Sequence, residues 1–92
     1  MANVLQGSTA ICSMTVTDST GALVDPATSL KITIKPIGGA VIIDGVDMVK
    51  DSTGKYHYDF ATANRPVGFY EVTYVAVDNA RIASMKDVFS IV

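Results

Sequence analysis

Period-two alternation of apolar and polar residues recurs along the chain, and no window longer than about ten residues shows helical periodicity. Over residues 8–17, Ala10, Cys12, Met14 and Val16 alternate with Ser13, Thr15 and Thr17, which predicts a strand with one buried and one wet face. A short edge strand is expected before it at residues 3–6, with Gly7 as the bend. Leu30, Ile32 and Ile34 alternate with Lys31, Thr33 and Lys35, and Pro36 with Gly38-Gly39 ends that run. Residues 40–43 and 46–50 are short apolar runs around Asp44-Gly45, a dipeptide that favours a tight hairpin. Tyr56, Tyr58 and Phe60 share one face of the next run and are expected to dominate the core, with Lys55, His57 and Asp59 on the other. From Gly68, residues Tyr70, Val72, Tyr74 and Ala76 alternate with a second, largely apolar set that includes Phe69, Val75 and Val77, as in a central strand. The last run, residues 82–92, alternates less cleanly because Lys86 and Asp87 interrupt it, which predicts a bulge there.

Turn chemistry divides these runs. Asp18-Ser19-Thr20-Gly21 recurs as Asp51-Ser52-Thr53-Gly54, but the flanking residues differ, so shared turn chemistry explains the recurrence better than an internal repeat does. Seven to eight short strands are the pattern of a sandwich or small barrel, and 92 residues is close to the size of one immunoglobulin-type sandwich, so the expectation is one all-β domain spanning residues 1–92, an immunoglobulin-like antiparallel β-sandwich.

Composition narrows the function classes. Charged residues make up 17% of the chain, below the roughly 25% usual for soluble domains, so Thr, Ser, Ala and Gly must supply much of a surface suited to lying against another protein. The net charge of −2, without a basic stripe, argues against a nucleic-acid partner. No stretch approaches the roughly 20 apolar residues needed to span a bilayer, and the start has no signal-peptide pattern, so folding in the cytoplasm without a membrane partner is expected. The initiating Met and an end inside a strand pattern suit a complete small protein. Cys12 has no disulfide partner and reads as a small buried hydrophobe.

Candidate chemistry is sparse. His57 is expected to be exposed, and no Gly-x-Ser-x-Gly or Cys-His arrangement accompanies it, so no catalytic residue and no enzyme activity is expected. Aspartates recur in or near turns (Asp18, Asp25, Asp44, Asp47, Asp51, Asp59 and Asp78), but without calcium-loop spacing. Asp44, Asp47 and Asp51 are the nearest set, and turn formation explains them more cheaply than a metal, so neither metal nor cofactor is expected. Phe69, Val75 and Val77 form the candidate interface, weighed against coverage of the same stripe by an opposing sheet.

Two segments, residues 51–60 and residues 65–74 (Arg-Pro-Val-Gly-Phe-Tyr-Glu-Val-Thr-Tyr), resemble the turn-aromatic-strand and Pro-x-Gly-x-Tyr segments of bacterial and phage immunoglobulin-like domains. That resemblance implies that Tyr70 forms a tyrosine corner. The Val-Leu-Gln-Gly opening and the Asp18–Pro26 loop resemble small virion-associated proteins of tailed phages that decorate capsids or sit at the neck or tail. The chain lacks the Cys-Trp-Cys core of antibody-type domains. The resemblance implies a non-enzymatic virion protein, made in the host cytoplasm, whose partners are other virion structural proteins or copies of itself. A carbohydrate-binding or adhesion module, with a glycan partner, is the alternative, and it requires an exposed aromatic platform.

Overall fold

The computed structural model describes residues 2–92, which fold into eight strands with no helix among them. They are β1 (Ala2–Val4), β2 (Thr9–Thr15), β3 (Ser29–Pro36), β4 (Ile43–Asp47), β5 (Val49–Ser52), β6 (Lys55–Ala61), β7 (Gly68–Asp78) and β8 (Arg81–Ile91). One sheet has the order β1-β8-β7-β3-β4 and the other β2-β6-β5. Neighbours run antiparallel except β1, which lies parallel to β8 with Asn3 opposite Ser90.

The alternation in the sequence becomes the inner faces of a β-sandwich. Leu30, Ile32 and Ile34 of β3 and Tyr70, Val72 and Tyr74 of β7 are buried against Ala10 and Cys12 of β2 and Phe60 of β6. Burial of side chains of this size contributes about 1.5–3 kcal/mol each, which is the main force holding the two layers together. Tyr70 stacks on Phe89 with ring centroids 5.5 Å apart, and Phe60 meets Phe89 edge-on at 6.2 Å. The aromatic core is therefore drawn from β6, β7 and β8. Tyr56 and Tyr58, expected beside Phe60, are only half-buried: Tyr56 lies at the rim, where its hydroxyl donates to Asp25 at 3.1 Å.

Three local expectations need correction. Asp44-Gly45 is no hairpin turn; it lies inside β4, where Gly45 has φ of +61° and its N–H donates to the Thr33 hydroxyl at 3.1 Å. The β3–β4 register shifts at this point, so the positive φ that Gly permits serves a bulge instead of a turn. The chain reverses earlier, at residues 36–39, where the Gly39 N–H bonds the Pro36 carbonyl at 3.0 Å. The bulge expected at Lys86-Asp87 is absent, for β8 pairs β7 without interruption from Gly68–Ile91 to Asp78–Arg81. The leading edge strand ends at Val4, because Leu5 already belongs to a turn closed by the Ser8 N–H on its carbonyl at 2.9 Å.

Thr62 ties the two ends of this region together. It is fully buried; its hydroxyl accepts from the Gly7 N–H at 2.9 Å and donates to the Ser8 carbonyl at 2.5 Å. One side chain thus satisfies backbone groups of the β1–β2 turn from the loop after β6.

Candidate interaction surface

β2, β4 and β5 each have one unpaired side, and β8 adds a further free edge with the longest run of exposed residues, 81–87. Among the described residues β1 pairs with Phe89, Ser90 and Ile91, which leaves residues 81–87 as a free sheet edge. Its hydrogen-bonding direction follows from β7. The Val77 carbonyl accepts from the Thr28 N–H at 3.0 Å, on the β3 side, so the Val77–Ile82 pair is not hydrogen-bonded. The backbone groups of Ile82 therefore point away from β7, and by alternation so do those of Ser84, Lys86 and Val88. The same parity continues to Val92, which donates to the Val4 carbonyl at 2.8 Å and accepts from the Gln6 N–H at 2.9 Å. β1 satisfies this end of the edge and the Val88 N–H donates to Asp87 Oδ1 at 2.8 Å, while among the described residues the groups from Ile82 to Lys86 face outward unpaired.

The side chains of the edge are exposed on both faces. Ile82 is 70% exposed and Met85 56%, although Met85 shares the inward face of the sheet with buried Phe89 and Ile91. The three-stranded sheet does not reach across to cover it. Between β2 and the β7–β8 hairpin the sandwich opens as a groove whose floor includes Met14, Ala76, Ala83 and Met85 at one end and Cys12, Val72, Tyr74 and Asp87 at the other. This is also why the alternation of β8 fades in the sequence: residues 81–87 stay exposed on both faces, so no face must be apolar.

Chemistry in the groove is quiet. Burial, reinforced by the charges of Asp87 and Asp59, pushes the Cys12 thiol up to about 11. Burial also raises the Tyr74 hydroxyl to about 12, with Cys12 and Asp87 adding to the effect. Both groups are neutral near pH 7, and a neutral thiol is a poor nucleophile.

The structure separates the residues expected to form one interface. Phe69, Val75 and Val77 all lie on the outer face of the five-stranded sheet, opposite the buried Tyr70, Val72 and Tyr74, so the second sheet does not cover them. Phe69 is 54% exposed, whereas Val75 and Val77 are half-buried. Between them stand Thr73 and Glu71, the latter ion-paired with Lys86 at 3.1 Å, so the stripe is interrupted by polar groups. Val77 does meet Ile82 across the β7–β8 pair, which joins that end of the face to the free edge. Tyr70 donates its hydroxyl to the Pro66 carbonyl at 2.6 Å, which ties the loop before β7 to the core.

His57, expected to be exposed, is half-buried on the outer face of β6 and pairs with neighbouring carboxylates. Its Nδ1 lies 2.6 Å from Asp51 Oδ1 and its Nε2 3.9 Å from Asp59 Oδ2. Ser13 stands opposite His57 on β2 without a hydrogen bond to it, so Ser, His and Asp are adjacent but not aligned for proton transfer. The aspartates are dispersed. Asp47 pairs with Lys31 at 3.5 Å, while Asp25 accepts from Lys50 at 2.6 Å, the Gly54 N–H at 2.8 Å and the Tyr56 hydroxyl. These bonds, led by that from Lys50, hold the Asp25 carboxyl below the usual carboxylate range. Among the described residues no three His, Cys, Asp or Glu side chains are grouped to hold a metal ion. Compared with known protein families, curated proteins and solved structures, the chain matches none.

Proposed function

We propose that this chain is a non-enzymatic docking domain of immunoglobulin-like type, a structural component of a larger protein assembly such as a tailed-phage virion. The observation that carries the reading is the free backbone edge of β8, flanked by the exposed apolar side chains of Ile82 and Met85. An unpaired edge with large apolar neighbours is a template for sheet extension by another chain, and natural proteins that do not use such edges blunt or cover them. The strand order, the parallel β1–β8 pair and the Tyr70–Pro66 bond support the immunoglobulin-like assignment. The sequence resemblance supplies the virion. A glycan platform has less support, since Phe60, Tyr70, Tyr74 and Phe89 are buried and Phe69 stands apart from them on the outer face.

Density-gradient sedimentation of a lysate of the source culture, with the protein followed by mass spectrometry, tests the proposal. The expected result is recovery in particle-sized fractions at a fixed ratio to a major shell protein. Recovery only near the top of the gradient, as a free 9.7 kDa chain, overturns the virion reading.

A further inference from the structure

We infer that the free edge of β8 pairs with β8 of a second copy of this chain, antiparallel about Ser84, so that Arg81 of each copy lies opposite Asp87 of the other. This rests on the reading of β8 as a docking edge and names its occupant.

The register follows from three observations. The backbone groups of Ile82, Ser84 and Lys86 are the ones that point outward. Centring the pairing on Ser84 sets Ile82 opposite Lys86 and Ser84 opposite itself, so every outward group meets another outward group and the ladder is complete. A shift that sets outward-pointing residues opposite inward-pointing ones breaks that ladder. The second observation is charge. Arg81 and Asp87 form no ion pair within the chain among the described residues, while Lys86 is already paired with Glu71. In the Ser84-centred register the Arg81–Asp87 contacts fall at non-hydrogen-bonded positions, where facing side chains come closest, and the two-fold axis makes two of them. Moving the centre to Ala83 or Met85 keeps the ladder but sets Arg81 opposite Met85 or Phe89, and both ion pairs are lost. The third observation is the groove. The chosen register places Met85 of one copy beside Ala83 of the other, over the apolar floor formed by Met14 and Ala76. The contact covers the exposed thioether and extends two five-stranded sheets into one.

Sedimentation velocity on the purified chain, from roughly micromolar to millimolar concentration, tests the inference. The expected result is a reversible shift from the 9.7 kDa monomer to twice that mass. Arg81→Glu and Asp87→Arg, which each set like charges opposite one another twice, are expected to weaken association about tenfold or more, and the double variant to restore it. Ser84→Pro removes an outward N–H that the monomer does not use, so it should abolish the dimer while circular dichroism stays that of the folded chain. A chain that remains monomeric throughout overturns self-pairing and leaves the edge to a strand of another protein. A dimer indifferent to Ser84→Pro and to both charge reversals places the contact elsewhere and likewise overturns it. The two readings fail separately: a monomer that co-sediments with particles refutes only self-pairing, and a dimer that never does so refutes only the virion role.

Discussion

Replacing Tyr70 by Phe isolates one bond. Tyr70 is 2% exposed, its ring stacks on Phe89 and lies 6.4 Å from Phe60, and its hydroxyl reaches the Pro66 carbonyl at 2.6 Å. Phenylalanine retains the stacking and loses only the hydroxyl, so no core cavity contributes to the change. A neutral hydrogen bond contributes about 1 kcal/mol net, and leaving a part-buried acceptor without its donor adds to the loss, so Tyr70→Phe should cost about 1–2 kcal/mol. A domain of this size loses roughly 4–8 °C of Tm per kcal/mol, which places the expected drop at roughly 4–16 °C. The assay is thermal and urea unfolding followed by circular dichroism, with both transitions required to be two-state. A variant whose Tm stays within about 1 °C of the parent would refute the assignment of a stabilising role to this bond.

Other positions give independent checks. Thr62→Val leaves the Gly7 N–H without its buried partner and the Ser8 carbonyl with only the Thr62 N–H at 3.3 Å, and should cost about 1–3 kcal/mol in the same urea titration; an unchanged midpoint contradicts the tie. The carboxyl of Asp25 is held below its usual range by Lys50, Gly54 and Tyr56, so its stabilising effect is present above the unfolded value of about 4 and is lost as pH falls through the folded value. Asp25→Asn should therefore flatten the fall of Tm below about pH 4, and an acid profile parallel to that of the parent would contradict this. Cys12, buried with its thiol raised to about 11, should react with a thiol reagent at pH 8 only as the protein unfolds, since only roughly one thiol in a thousand is ionised. Rapid stoichiometric labelling of the folded chain would show that the groove admits the reagent.

Strands with one buried face were legible in the sequence because burial enforces their alternation. Leu30, Ile32 and Ile34 occupy the core where that pattern puts them, and Ala10 with Cys12 faces them from the other sheet. Asp44-Gly45 misled because a Gly at positive φ serves a bulge as readily as a turn, and which of the two it makes is decided by the distant pairing of β3 with β4. Phe69, Val75 and Val77 showed that β7 has two partly apolar faces, but not which one the second sheet takes; Tyr70, Val72 and Tyr74 won that place with their greater bulk. The free edge was visible only indirectly. Ile82, Ala83, Ser84 and Met85 break the two-residue rhythm because both their faces meet solvent, and a broken rhythm in a strand that nonetheless pairs without a bulge is the signal of an edge.

Amide hydrogen exchange along β8, read at two protein concentrations, is the most direct measure of whether this edge is open and then used. In dilute protein the amides of Ala83, Met85 and Asp87 should be protected by β7, and those of Ile82, Ser84 and Lys86 should exchange freely. On concentration the second set should gain protection while the first is unchanged. Protection of Ile82, Ser84 and Lys86 in dilute protein, or their free exchange at every concentration, would contradict the account of β8 as an open edge that a second copy closes.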